Sequence, residues 1–206
     1  ALGNGLGQYG WLTAVFCSLI LGVFAKENAI VAIPLILVLE VCWLQFQDEK
    51  GHTISWLRTL SSTLIISGCV LLIILLVIYW DWLSSRYGGR EFSLEERVFT
   101  QARILWDYVA QFFLPDVQRM GIFHDDVVIS TSLFSPVSTL ASLVAWLLVI
   151  VGGLALLLVP GGGVVAYGLL FFPIGHSIES TVWPLELYFE HRNYLPGIGL
   201  SLLLLG

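Results

Sequence analysis

Residues 59–80 read TLSSTLIISGCVLLIILLVIYW, a run of 22 residues without a charged side chain. A helix needs about 20 predominantly apolar residues to cross the hydrocarbon core of a bilayer. Residues 137–159 form a second uncharged run, of 23 residues. Neither run alternates between apolar and polar residues, as the strand of a membrane β-barrel would. Together they predict transmembrane helices and an all-α protein.

The composition agrees with a membrane protein, because 57% of the 206 residues are hydrophobic and only 12% are charged. A soluble domain carries about 25% charged residues. Residues 97–114 lie within the polar stretch 81–136, are half apolar, and predict an amphipathic helix on the membrane surface or packed in the bundle. The predicted spans of the polytopic transmembrane helix bundle are residues 9–25, 29–46, 59–80, 137–159, 164–178 and an incomplete one at 195–206.

Two features indicate a piece of a longer protein. The run at 195–206 is too short to cross a bilayer, and the chain begins without the basic segment of a signal peptide. We therefore expect residues 1–206 to be one partial transmembrane domain, truncated at both ends.

Charge and cysteine content exclude some functions. The net charge of −6 disfavours a nucleic-acid partner, which would need a basic patch. Cys17, Cys42 and Cys69 all lie in apolar runs and show neither disulfide nor metal-ligand spacing. We interpret all three as small buried hydrophobic residues.

The charged residues are predicted to gather on one side of the membrane. If the chain changes sides at each span, Lys26-Glu27 and the stretches 81–136 and 179–193 lie together. The loop 47–58 and the turn 160–163 lie on the opposite side. Basic residues flank spans on both sides, so the positive-inside rule does not select the cytoplasmic face.

Two short groups on this side are candidates for a functional site. Lys26 and Glu27 stand at a tight junction between apolar runs, where charge is costly and often functional. The alternative is an ion pair or a snorkelling lysine at the tip of a helical hairpin. His124, Asp125 and Asp126 can bind a divalent ion or exchange protons. Consecutive residues seldom point the same way, so a solvated turn with an aspartate helix cap is the alternative.

The third candidate is the segment at 175–196. Thr181 as N-cap and Pro184 in the first turn predict a helix, on which Glu186 and Glu190 would lie one turn apart. Two carboxylates at this spacing repel unless a cation or a donor lies between them. The alternative is an interfacial segment whose aromatic residues form a belt. The polar residues of this segment that could form a sugar, acceptor or structural site are His176, Glu179, Glu186, Glu190, His191, Asn193 and Tyr194.

Three stretches resemble one family. They are FAKENAIVAIPLILVLE at 24–40, ERVFTQARILWDYVAQFFLP at 96–115 followed by GIFHDD at 121–126, and ESTVWPLELYFEHRNYLPGIGL at 179–200. They resemble membrane glycosyltransferases of the GT-C fold, in the branch that carries TPR repeats after the membrane domain. The similarity is to bacterial TPR-containing membrane proteins and, more distantly, to eukaryotic transmembrane-and-TPR O-mannosyltransferases. It covers almost the whole chain, and the last stretch is its most specific part.

The resemblance implies a transferase that moves a sugar from a polyprenyl-phosphate donor to a protein, lipid or glycan acceptor. It implies a bacterial inner membrane with the polar face periplasmic. The family's catalytic acid would precede Ala1 and the TPR array would follow Gly206, so no catalytic residue is assigned. Lys26 and Arg192 would bind the donor phosphate, because a cation stabilises its negative charge. The arginine guanidinium can also donate two parallel hydrogen bonds to it. Sugar or acceptor would be contacted by the other candidates named above, which are Glu27, the residues at 124–126 and the polar residues of the segment at 175–196.

No cofactor or metal is assigned, and the expected partners are membrane lipids, the lipid-linked sugar and the acceptor. Two other functions remain open. A non-catalytic scaffold, whose TPR repeats recruit envelope partners, would keep the helices without needing the charged groups. A transporter or flippase would carry charges at mid-membrane and show symmetric halves. In this sequence the charges cluster at the ends of spans and no internal repeat is visible.

Overall fold

The computed structural model describes residues 5–48, 50–116, 121 and 127–205, and this part of the chain is helical. The helices are α1 (Gly5–Ala25), α2 (Ala32–Leu39), α3 (Ser55–Ile78), α4 (Trp80–Ser85), α5 (Leu94–Phe113), α6 (Ser138–Leu156), α7 (Gly163–Gly175) and α8 (Tyr194–Leu203). A first 3₁₀ turn, Glu27–Val31, leads into α2, and a π turn, Glu40–Leu44, extends that helix. A second 3₁₀ turn, Glu190–Asn193, precedes α8. The predicted all-α class is confirmed.

Three helical stretches are long and apolar enough to cross a membrane: Glu27–Leu44, Ser55–Ile78 and Ser138–Leu156. Only 6% of the Ser55–Ile78 window is buried inside the protein. Its isoleucine, leucine and valine side chains therefore face outward, which is stable in lipid and unfavourable in water. Two shorter apolar helices, Thr13–Ala25 and Gly163–Gly175, coincide with the predicted runs at 9–25 and 164–178.

The closest helix packing is between α7 and α8, and glycine makes it possible. A methyl group on Gly199 would lie 2.9 Å from the Gly168 carbonyl oxygen and 3.0 Å from the Phe172 nitrogen. Glycine at both positions lets the two backbones approach, as is common between membrane helices. The core continues into α6, where the Trp146 ring stacks on Phe172 with centroids 5.5 Å apart.

The predicted amphipathic helix at 97–114 is present as α5. It begins with a capping box, in which Ser93 and Glu96 each accept a hydrogen bond from the other's backbone N–H. Its buried face holds polar side chains, among them Arg97 and Gln101, which the amphipathic pattern alone would have turned outward. Their partners lie in the segment before α8 and are described below.

The interpretation of the cysteines is correct for one residue only. Cys42 is 2% exposed and packs in the core with Val31 of the first 3₁₀ turn and Leu35 of α2. Cys17 and Cys69 are exposed on the outer surfaces of α1 and α3. An apolar neighbourhood in sequence does not distinguish a core-facing position from a lipid-facing one, which is why the prediction failed for these two.

Replacing Gly199 with leucine should lower the free energy of unfolding by roughly 1–3 kcal/mol, because the new side chain meets the backbone of α7. The measurement is a denaturant titration in mixed micelles. Gly152→Leu is the matched control, since nothing lies within 4 Å of a methyl group on Gly152. Its change should stay within about 0.5 kcal/mol. Equal losses in the two variants would contradict the close contact of α7 and α8.

Candidate functional site

Lys26, Glu179 and Arg192 form a charged triad where α1 passes into α2. The Lys26 Nζ atom lies 3.0 Å from Glu179 Oε1, and the Arg192 Nε atom lies 3.8 Å from Glu179 Oε2. The side chains of Arg192 and Glu179 are 5% and 12% exposed, whereas that of Lys26 is 57% exposed. One carboxylate thus stands between two cations, and the triad has a net charge of +1 with lysine as its accessible member.

Each member of the triad is held by the local backbone. Lys26 follows α1, donates its backbone N–H to the Gly22 carbonyl oxygen at 2.8 Å, and is extended, with φ −154° and ψ 125°. This residue breaks the helix and turns the chain into the 3₁₀ turn before α2. Arg192 lies in the second 3₁₀ turn, where its Nη1 atom donates to the Glu186 carbonyl oxygen at 2.6 Å. Its guanidinium carbon also lies 5.0 Å from the centre of the Phe189 ring.

Arg97 organises the turn that carries Glu179. Its Nη2 atom donates to the Glu179 carbonyl oxygen and its Nε atom to that of Thr181, each at 2.9 Å. Its Nη1 atom donates to the carbonyl oxygens of Leu185 and, at 3.2 Å, of Glu186. The side chain is fully buried, and burial lowers the pKa of its guanidinium to about 10, so the group stays charged at neutral pH.

Other side chains of α5 hold the rest of the segment at 179–193. The Gln101 amide donates to the Leu187 carbonyl oxygen at 2.6 Å. The Tyr108 hydroxyl donates to the Phe189 carbonyl oxygen and accepts from the Phe189 N–H, both at 2.9 Å. Burial raises the pKa of Tyr108 to about 12, so the hydroxyl remains a donor at neutral pH. The Asn193 amide completes the set by donating to the Tyr108 carbonyl oxygen at 3.2 Å.

The helix predicted from Thr181 onward is wrong, because residues 181–189 are not helical. Their carbonyl groups bond to Arg97, Gln101 and Tyr108 rather than to backbone amides one turn ahead. The Thr181 hydroxyl donates back to the Ser177 carbonyl oxygen at 2.9 Å and does not cap a helix.

The two glutamates expected to share a helical face therefore separate. The Glu186 carboxylate pairs with the Arg90 guanidinium at 2.9 Å, and this cation lowers the pKa of Glu186 below its ordinary value. The Glu190 carboxylate accepts a hydrogen bond from the Gly121 N–H at 3.1 Å.

The remaining predicted residues occupy three kinds of position. His176 is buried against α5, with its Nδ1 atom 3.1 Å from the Ser180 hydroxyl oxygen and its ring stacked on Tyr108. Glu27 is exposed and follows Lys26 directly. His191 and Tyr194 are exposed beside the triad. His124, Asp125 and Asp126 lie outside the described residues.

An apolar groove of about 820 Å³, called the first groove below, ends at the triad. Its walls come from α1, including Trp11 and Leu19, from Ala29 in the first 3₁₀ turn, and from Leu35 in α2. Lys26, Glu179, Arg192, His191 and Tyr194 form its polar end. The groove thus combines a long apolar surface with one accessible cation at the level where the spanning helices end.

Several residues that build this site were not singled out from the sequence. Arg97, Gln101 and Tyr108 are spaced four and seven residues apart, which places them on one face of a helix. A stripe of polar residues along an otherwise apolar face is a recognisable signal for buried hydrogen bonding. Arg90 gave no such signal, because its partner Glu186 is 96 residues away in sequence.

The charged groups of the site are two cations and one carboxylate. Within the described parts of the chain, no three histidine, cysteine, aspartate or glutamate side chains converge as a metal site would require.

Compared with known proteins, the chain matches no family model, no curated protein and no solved structure at a significant level. The fold and the site therefore define an all-helical protein with three candidate membrane-spanning helices and a charged triad at the end of an apolar groove.

Arg97→Lys should lower the free energy of unfolding by about 2–4 kcal/mol, because a lysine cannot donate to all the carbonyl groups that the fork now satisfies. Arg103→Lys is the matched control on the same helix, since Arg103 is only half-buried and donates to Val128 and Ser130. Denaturant titration measures both variants. A loss at position 97 no larger than that at 103 would show that Arg97 does not hold the turn.

Proposed function

We propose that the protein is an integral-membrane glycosyltransferase that takes a sugar from a polyprenyl-phosphate donor and transfers it at the membrane face carrying the triad. The observation that carries this proposal is the first groove, which joins an apolar surface to an accessible cation. A polyprenyl phosphate has the complementary chemistry, a long hydrocarbon tail ending in an anion. The assignment of a sugar to this donor is based on the resemblance of the three sequence stretches to membrane glycosyltransferases.

The phosphate is assigned to Lys26. The Lys26 side chain is 57% exposed, whereas Arg192 is almost enclosed and already donates to the Glu186 carbonyl oxygen. A phosphate entering the polar end of the first groove therefore meets the lysine amine first. Positive charge at this position would stabilise the negative charge that develops on the phosphate as the sugar leaves.

Glu179 is an internal counterion in this proposal. Its carboxylate pairs with Lys26 and also faces Arg192. When a phosphate binds Lys26, Glu179 keeps Arg192 as its partner, so neither buried group is left without a counter-charge. Arg192 thereby acts as a positioning residue for Glu179, while Lys26 contacts the donor.

The scaffold function is the second candidate, and one observation favours it. Both cations already pair with Glu179, so the triad is also intelligible as a structural ion pair that joins α1, α2 and the 179–193 segment. In that case no anionic lipid is required for the charges to be stable. Binding of an anionic lipid separates the two functions.

Lys26→Ala should weaken the binding of undecaprenyl phosphate at least about tenfold, because the variant loses the accessible cation. The measurement is a titration of protein in nanodiscs, followed by transfer assays with radiolabelled polyprenyl-phosphate sugars. Lys50→Ala is the matched control, because Lys50 is exposed in the loop that follows the other end of α2. Equal binding by wild type and both variants would reject the assigned phosphate position and favour the scaffold.

Glu179→Gln should tighten the binding of undecaprenyl phosphate about fivefold, because it removes the carboxylate that competes for Lys26. The glutamine keeps the size of the side chain, and unfolding measurements verify that the fold persists. The same nanodisc titration measures the change. Weaker binding by a folded Glu179→Gln variant would contradict the counterion role.

A further inference from the structure

A second apolar groove, of about 900 Å³, opens between α2 and α3. Val31 and Pro34 line it on the α2 side, and Leu72 and Leu76 line it on α3. Gly68 widens it, since nothing lies within 4 Å of a methyl group placed on this residue. The turn at 177–183 closes the groove at the end that carries the triad.

The two grooves lie on opposite faces of one helical stretch. Ala29 and Ala32 face the first groove, whereas Ile30, Val31 and Pro34 face the second. Both grooves end on the turn at 177–183, with Glu179 lining the first and the residues on either side of it lining the second. Two ligands bound in the two grooves would therefore bring their ends to the two sides of a single turn.

The second groove fits a hydrocarbon chain. Its walls are almost entirely carbon, and two of them belong to candidate membrane-spanning stretches. An extended peptide in this position would have to bury its backbone N–H and C=O groups without partners, which costs several kcal/mol for each group. A hydrocarbon chain has no such groups and enters sideways from the bilayer.

The rim of the second groove indicates which way the lipid points. Tyr79, Trp82 and Trp183 stand at the end near the turn, and the rings of Tyr79 and Trp82 meet edge to face with centroids 6.5 Å apart. Tyrosine and tryptophan concentrate where hydrocarbon meets the polar headgroups. The headgroup of a lipid in this groove thus lies beside the turn that carries Glu179.

We propose that the second groove binds the hydrocarbon chain of a second lipid, whose headgroup is the acceptor, so that the acceptor is a lipid rather than a protein. This inference rests on the proposed transferase function and names its acceptor class. In the transfer, an acceptor hydroxyl oxygen forms a bond to the anomeric carbon of the sugar. The bond from that carbon to the phosphate oxygen breaks, its electron pair leaves on the polyprenyl phosphate, and the hydroxyl proton is released to water.

The site is tested with two photoreactive phosphatidylcholines in nanodiscs, one with a diazirine near the headgroup and one with it at the chain end. The first should crosslink to residues 177–183, and the second to α3 near Gly68 and Leu72. Gly68→Phe should reduce both crosslinks at least fivefold, because Gly68 lines the groove and a ring at this position would occupy space that the lipid chain needs. Gly152→Phe is the matched control, since that glycine is equally open on a spanning helix and lines neither groove.

Three results would overturn the inference. The first is crosslinking along α3 that Gly68→Phe leaves unchanged, which would mean ordinary surface lipid. The second is crosslinking between α2 and α3 of a further segment of the protein in place of the lipid. The third is transfer of radiolabelled sugar from the polyprenyl-phosphate panel into protein, unaffected by Gly68→Phe. In nanodiscs that also contain phosphatidylglycerol, whose headgroup carries hydroxyl groups, label appearing in a lipid other than the donor, and reduced by Gly68→Phe, is the expected result.

The test also separates this inference from the proposed function. Lys26 does not line the second groove, so Lys26→Ala should leave the phosphatidylcholine crosslinks unchanged. Gly68 does not line the first groove, so Gly68→Phe should leave undecaprenyl phosphate binding unchanged. Loss of the donor site and loss of the acceptor site are therefore observed in different variants with different probes.

Discussion

The buried guanidinium of Arg97 is the interaction on which the site depends. A charge removed from water is costly unless its donors are satisfied, and Arg97 meets this requirement by binding backbone carbonyl oxygens of residues 179, 181, 185 and 186. Those same carbonyl groups have no partner within a helix, because their segment is not helical. The guanidinium thus supplies donors to the carbonyl oxygens, and the carbonyl oxygens supply acceptors to the guanidinium. These hydrogen bonds fix the backbone at Glu179. The position of the Glu179 carboxylate between Lys26 and Arg192 follows from that backbone.

The second constraint is the solvent that surrounds the helices. The apolar surface of α3 is exposed along nearly its whole length, so hydrocarbon is its favourable environment. Both grooves lie beside α2 and end at the turn that carries Glu179. The arrangement joins two sets of apolar walls to one polar turn.

Sequence reasoning predicted the elements whose signal is local. The uncharged runs at 59–80 and 137–159 correspond to α3 and α6, and the half-apolar stretch at 97–114 corresponds to α5. It also proposed the 179–193 segment and Lys26 as candidate site residues, and the structure brings Lys26, Glu179 and Arg192 together. It failed where local and distant partners compete. The capping signals of Thr181 and Pro184 favour a helix, but Arg97, Gln101 and Tyr108 offer that segment's carbonyl groups buried donors.

By itself, the sequence determined that the chain is helical and that its long apolar helices suit a membrane, because hydrophobic length and the absence of charge are properties of each segment alone. It could not determine which cation is accessible. Lys26 and Arg192 are equally charged in the sequence, yet only the tertiary structure leaves one exposed and encloses the other against Phe189. Burial and pairing depend on contacts between residues more than 150 positions apart, as between Lys26 and Glu179. Only the folded packing of α1, α2, α5 and the 179–193 segment decides those contacts.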